Sequence, residues 1–225
     1  MNEIEVLIRR SRATVISLGA IMVTDVAAIL AGIAYADYLG SLPSESIVAE
    51  LELAPSEGWY ALVGVAQLAV LLFPVVFFLR WFRLCYVNAG RITGEGTQHH
   101  PRWVFWGFLT PIANLFFPYQ LMREIWEKSI QKWDQEPSRV LGLSEPRDVV
   151  SAWWGAFITA SLIANLVARF SWDAATAQEE LYATNGALLS DSIDLVAAAL
   201  AIMLVRNVTS LQKPLLAEAT LRPDA

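Results

Sequence analysis

The stretch Trp103-Val104-Phe105-Trp106-Gly107-Phe108-Leu109-Thr110-Pro111-Ile112-Ala113-Asn114-Leu115-Phe116-Phe117-Pro118 decides how many times this chain would cross a membrane. It is apolar, but it contains Pro111 and ends at Pro118. Four other apolar stretches, near residues 14–36, 60–79, 151–168 and 186–205, are longer. At a rise of about 1.5 Å per residue each can span, or nearly span, a hydrocarbon core of roughly 30 Å. Of 225 residues, 56% are hydrophobic and 17% charged, which departs from soluble composition in the direction of membrane proteins. We therefore expect an all-α integral membrane protein, a single membrane domain over 1–225, and ask whether 103–118 adds a fifth crossing.

The charges answer that question. Of the sixteen Lys and Arg, Arg9, Arg10 and Arg12 precede the first span. Arg80, Arg83, Arg91, Arg102, Arg123, Lys128, Lys132, Arg139 and Arg147 lie between the second and third. Arg206, Lys213 and Arg222 follow the last, and Arg169 ends the third. The loops 37–58 and 171–185 hold none and carry Asp37, Glu45, Glu50, Glu52, Glu57, Asp173, Glu179 and Glu180 instead. Under the positive-inside rule both loops face outward and both termini are cytoplasmic. A crossing at 103–118 would export five basic residues and reverse the bias. The stretch is therefore expected to be a re-entrant or buried half-helix on the cytoplasmic side, leaving four transmembrane helices. Pro111 suits the break, because proline lacks a backbone donor and disfavours helix at the preceding residue.

Beyond Pro118, Leu121, Met122, Ile125, Trp126, Ile130 and Trp133 recur at helical spacing. Arg123, Glu124, Glu127, Lys128, Gln131 and Lys132 fill the opposite face, so 119–133 is expected to be an interfacial amphipathic helix. Pro137 and Pro146 bracket a polar connector to the third span. The first apolar run, with Ala34-Tyr35-Ala36 behind it, imitates a secretory signal but is too long, and we read it as an uncleaved span.

Polar residues inside the spans are the candidates for function. Asp25 sits mid-way along the first, and Asp191 and Asp194 sit in the outer part of the last. Asp25, Ala28 and Gly32 share one helical face, as do Asp191, Asp194, Ala198 and Ala201. Small residues mark close helix packing, so the carboxylates are expected to face protein rather than lipid. Gln67 with Gly64, and Asn165 with Ser161, form similar faces. Two readings follow: a polar interior that carries protons or a cation, or a structural role in which Asp25 is protonated or hydrogen-bonded and the outer pair caps a helix start or pairs with Arg169.

Other chemistry is poorly supported. The single Cys85 excludes an intrachain disulfide, and adjacent His99 and His100, even with Glu95 nearby, do not converge on one metal ion. No Ser or Cys has a base arranged beside it and no phosphate-cradling glycine motif occurs, so no catalytic residue, cofactor or metal site is expected. A net charge of -6 without a basic stripe argues against nucleic acid.

The central region resembles the DUF4328 family of bacterial membrane proteins, a domain of unknown function. The resemblance rests on Trp81 and Asn88, on Pro101 and Trp103, and on Pro111-Ile112-Ala113-Asn114-Leu115 followed by Pro118-Tyr119-Gln120. It continues through Arg123-Glu124-Ile125-Trp126 and Ser129 to the pair Trp153-Trp154. The family's arginine three residues after Trp81 is absent here, where Leu84 stands beside Arg83, so no role passes to Arg83. The resemblance implies a location in a bacterial inner membrane but no activity. Physically, the signature reads as a corner in which Asn114 bonds backbone groups freed by Pro111 and Arg123 approaches carbonyls or lipid phosphates, or alternatively as a binding site where unpaired backbone and Asn114 hold a ligand or ion. The expected function is a non-enzymatic scaffold that organises lipid or protein contacts at the cytoplasmic face. Its expected partners are membrane lipids and a membrane protein or second copy of the chain. The alternative is a small transporter or channel around Asp25, Asp191 and Asp194.

Overall fold

Reciprocal side-chain caps set where the first and last long helices begin. In the computed structural model, which describes residues 2–48, 55–133 and 146–221, Asn2 Oδ1 accepts the Ile4 N–H while the Asn2 N–H donates to Glu5 Oε2, both at 3.3 Å. This opens α1 (Glu3–Gly40). Thr176 and Glu179 bond each other directly, the Glu179 N–H donating to Thr176 Oγ1 at 3.3 Å and the Thr176 N–H to Glu179 Oε2 at 3.1 Å, and open α6 (Ala177–Leu221). Between them run α2 (Pro55–Thr93), α3 (Trp103–Leu109), α4 (Phe117–Trp133) and α5 (Pro146–Asp173). Among the described residues no strand occurs, and α1, α2, α5 and α6 are each long and apolar enough to cross a membrane.

All four overrun the spans read from hydropathy. Helix α2 continues past Leu79 to Thr93, and α6 past Val205 to Leu221, because Arg, Leu, Glu and Lys propagate a helix well whether or not lipid surrounds it. At the other end, the expected loop 171–185 shrinks to the few residues between Asp173 and Ala177. Glu50, Glu52, Arg139 and Arg222 lie outside the described residues, as does the connector from Pro137. So do the side chains of Lys132, Trp133, Arg147 and Asp173.

The stretch 103–118 forms no long helix. The seven residues of α3 reach only about 10 Å. Thr110, pushed out of the helical region by Pro111, adopts extended backbone at φ -92°, ψ 119°. A 3-10 turn, Ala113–Leu115, then closes the break with backbone bonds from Asn114 N–H to Thr110 O (2.7 Å) and Leu115 N–H to Ile112 O (3.2 Å).

The chain divides into two compact units, and each long helix contributes to both. The first comprises Met1–Leu18, Phe73–Trp154 and Leu200–Ala225. Its core is aromatic: Phe78 contacts Trp81, Phe82, Phe108 and Trp153 at centroid distances of 5.5 to 6.4 Å, and Phe108 also meets Trp154 edge-on at 6.2 Å. Phe108 thereby ties α3 to α2 and α5. The turn before α3 approaches α2 so closely that a Cβ at Gly90 would lie 2.9 Å from the Gly96 carbonyl carbon.

The second unit comprises Gly19–Leu72 and Gly155–Ala199. Tyr35, Leu39 and Ala177 form a small core, with Tyr35 stacked on Tyr60 at 5.3 Å. The connection after α1 pairs with the start of α6. Ser46 O accepts the Ala177 N–H (2.9 Å), Ser44 O accepts the Gln178 N–H (3.3 Å), and the Val48 N–H donates to Ala175 O (3.0 Å). Two otherwise orphaned donors at the start of α6 are thus satisfied by the first loop. Leu62, Val65, Leu68 and Leu72 on α2 remain exposed, an apolar face suited to lipid.

Two glycine substitutions distinguish these environments. Gly90→Ala drives a methyl into backbone and is expected to lower stability in detergent by about 1–3 kcal/mol. Gly19→Ala meets nothing within 4 Å and is expected to raise helix stability by up to about 1 kcal/mol. Thermal melts of the two purified variants against wild type check the contrast.

Candidate functional site

Three helices bring polar side chains together in the second unit. One amide nitrogen, Gln67 Nε2, donates to Asp25 Oδ1 at 3.0 Å and to Asp191 Oδ1 at 3.4 Å. An amide nitrogen carries two protons, so a single Gln67 on α2 joins carboxylates on α1 and α6. Asp25 is only 4% exposed, and its Oδ2 is buried with no hydrogen-bond partner. Asp194, one turn beyond Asp191, lies within Coulombic reach of both. Close packing of small residues supports the arrangement: Ala28 is buried, and a Cβ at Gly32 would stand 2.7 Å from Leu188 Cδ2. Asn165 does not join this group. It is exposed and donates to Ser161 O one turn back on its own helix, at 2.7 Å. Arg169, one of the two partners considered for the outer carboxylates, is exposed and forms no ion pair among the described residues.

The first unit is closed by a buried carboxylate on α4. Glu124, 5% exposed, accepts the Tyr86 hydroxyl on Oε2 at 2.6 Å and the Gln98 N–H on Oε1 at 2.7 Å. Tyr86 OH in turn accepts the His99 N–H at 3.0 Å. Lys128 Nζ stands 3.4 Å from Glu124 Oε1 and donates to Gly96 O. Helix α2, the turn 94–101 and α4 are therefore laced through one side chain. Gly94 and Gly96 make the turn possible with φ near +73°, a region costly for residues with a Cβ. Trp103 stacks on Phe117 at 4.4 Å, and Trp154 Nε1 donates to Leu115 O at 3.3 Å, which holds the 3-10 turn.

The His99 ring meets Phe117 edge-on at 5.4 Å, His100 Nδ1 accepts the Arg102 N–H, and Glu95 is exposed.

Compared with known families, the chain matches a domain of unknown function, DUF4328, over residues 45–210. It belongs to that family. No curated protein and no solved structure matches it. The match extends well beyond 79–157, from the end of the first connection into α6. Gln67, Asp191 and Asp194 fall inside it, whereas Asp25 precedes it.

The DUF4328 signature residues now acquire positions. Trp81 is fully buried and donates to Thr209 Oγ1 on α6 at 3.1 Å. Trp153 joins the aromatic core, and the Tyr119 hydroxyl pairs with Ser151 Oγ at 3.3 Å. Pro118 is buried, Pro101 half-buried and Pro111 exposed at the break. Arg123 is exposed and paired with Glu127 at 2.7 Å, a neighbour that holds its guanidinium pKa above the usual value. Asn88 is buried with both amide atoms unpartnered, and Trp126 is buried, with its Nε1 also without a partner.

Two expectations change. Glu124 leaves the polar face of α4 for the core, and Leu121, Met122, Ile125 and Trp126 pack within the protein. The apolar and polar partners come from the overrunning helices: Gln212 on α6 donates to Cys85 O at 3.0 Å and Ser129 Oγ at 3.3 Å. Asn114 is not the clasp, because backbone bonds close the break and its Oδ1 is buried without a partner. Sequence reasoning missed Tyr86, Thr209 and Gln212, whose signal was a helical polar spacing that continues beyond the apolar windows.

Glu124→Ala orphans both the Tyr86 hydroxyl and the Gln98 N–H, and is expected to cost about 1–3 kcal/mol. Amide exchange should accelerate at Gln98 and His99. Asn114→Leu, which removes no bonded acceptor on Oδ1, should cost less, as paired exchange and melting measurements would show.

Proposed function

We propose that this DUF4328 protein is a non-enzymatic, multi-pass protein of the bacterial inner membrane. Its first unit serves as a cytoplasmic platform for lipid or protein contacts. The observation that carries this reading is the exposed apolar tip formed by Trp106, Leu109, Ile112 and Phe116, on a segment too short to cross a bilayer. In water such a cluster would be costly, whereas in the cytoplasmic leaflet it anchors the unit.

Charge supports the orientation. The first unit contains every Lys and Arg except Arg169, and Arg10 lies within Coulombic reach of Arg9, Arg80 and Arg83. A basic cluster of this kind suits the phosphates of the cytoplasmic leaflet. The two Lys-free connections, which the charge rule assigns to the outer side, bond to one another through Ser44, Ser46 and Val48. In this reading 103–118 enters the cytoplasmic leaflet and returns, and the exposed face of α4, with Arg123, Glu127 and Gln131, presents to the cytoplasm or headgroups.

Single cysteines test the arrangement, and Cys85 can stay because it is fully buried. Ser44→Cys and Ala175→Cys are expected to react with an impermeant thiol reagent in intact cells, whereas Glu95→Cys and Gln131→Cys should react only after permeabilisation. A fluorophore on Ile112→Cys should be quenched by brominated acyl chains and one on Gln131→Cys should not. External labelling at Gln131→Cys would defeat the topology, and an unquenched Ile112 label would defeat the re-entrant tip.

A further inference from the structure

We propose that Asp25, Gln67 and Asp191 form a site within the spanning helices that takes up a single monovalent positive charge, either a proton or an alkali cation. Gln67 spends both amide protons on the two carboxylates, at 3.0 and 3.4 Å, which places Asp25 and Asp191 within the reach of one group. Asp25 is 4% exposed, yet only one of its oxygens is bonded, and Oδ2 remains a buried acceptor without a donor. That free oxygen belongs to the carboxylate turned toward Gln67 and Asp191. Asp194 adds a third acidic group within Coulombic reach.

The elements around this cluster supply no compensating cation. Helix α1 contributes Asp25, α2 contributes Gln67 and the Tyr60 phenol, which is in Coulombic reach of Asp191, and α6 contributes Asp191 and Asp194. Within the second unit the one Lys or Arg is Arg169, on α5, exposed and in no ion pair among the described residues. Neither histidine of the chain belongs to this unit. Two carboxylates that share one amide in a buried, apolar surround do not both stay charged unless a proton or a bound cation offsets one of them. A charge of one suffices to leave the Asp25–Asp191 pair as a single anion bridged by Gln67. A multidentate metal is not implied, since no cluster of three or more His, Cys, Asp or Glu suited to a metal ion exists among the described residues.

The site does not depend on the platform reading of the first unit, and its test reads a different part of the molecule. A hydrophobic carbodiimide, which reacts with protonated carboxyls, is applied to the full-length protein in lipid vesicles, and the adduct is located by mass spectrometry. The expected adduct lies on Asp25 or Asp191, and its rate should fall as the pH is raised, because the reagent needs the protonated carboxyl. Suppression by sodium or potassium chloride, at constant ionic strength with choline chloride, would identify an alkali cation as an occupant. Insensitivity to these salts would identify the proton alone. Gln67→Leu removes the donor that the two carboxylates share, so the dependence of its labelling on pH should differ from that of wild type. Asp25→Asn, of equal size and able to keep a bond to Gln67, tests the contribution of the pair without relying on a cavity-forming change. Absence of an adduct at these residues across the pH range overturns the proposal. So does a Gln67→Leu profile identical to wild type, or a labelling pattern unchanged in Asp25→Asn combined with Asp191→Asn.

Discussion

Glu124 accepts a hydroxyl from α2 and a backbone N–H from the turn 94–101 while standing on α4, and this shared acceptor links the parts of the first unit that covalent continuity leaves loose. A carboxylate at 5% exposure is costly unless each oxygen is bonded, and here both are. Tyr86 passes the connection on to the His99 N–H, and Lys128 closes the far side against Gly96 O. The turn can therefore sit against Gly90, and α3 starts where Phe108 reaches the aromatic rings of α2 and α5.

That dependence explains how a broken apolar segment is tolerated. Where water is excluded, backbone groups must be satisfied within the protein. The proline at 111 forces Thr110 into extended backbone, and the exposed carbonyl is recovered at once by the Asn114 N–H. Leu115 O is taken by Trp154 Nε1. The break is thus paid for locally, and the apolar side chains around it are left facing outward.

The second unit meets the same constraint differently. The start of α6 has its first donors satisfied by carbonyls of the connection after α1, and its interior carboxylate is met by an amide from α2. Glycine at 32 and the small Ala28 allow α1 near α6, so that the polar contact forms at all. Polarity and close approach are one device here, because a bulky residue at 32 would meet Leu188 before Asp25 and Gln67 could hold their distance.

The sequence by itself determined the number of long helices, the apolar character of four spans, the failure of 103–118 to form a fifth, and the presence of Asp25, Gln67 and Asp191 on faces with small residues. These follow from hydropathy, from proline's missing donor and from a charge bias, all of which are properties of local sequence. It did not determine where the helices stop, since Arg, Lys and Glu continue a helix beyond the apolar window as readily as they would flank one. Nor did it determine the inward turn of Glu124, the exclusion of Asn165, or the pairing of Trp81 with Thr209. Each depends on what a distant segment places opposite: Glu124 is buried because Tyr86 and Gln98 arrive to bond it, and Asn165 is excluded because its own Ser161 carbonyl is nearer than the cluster. Only the tertiary structure decides such matters, because a polar side chain's place is set by which partner reaches it, and sequence separation carries no record of that distance.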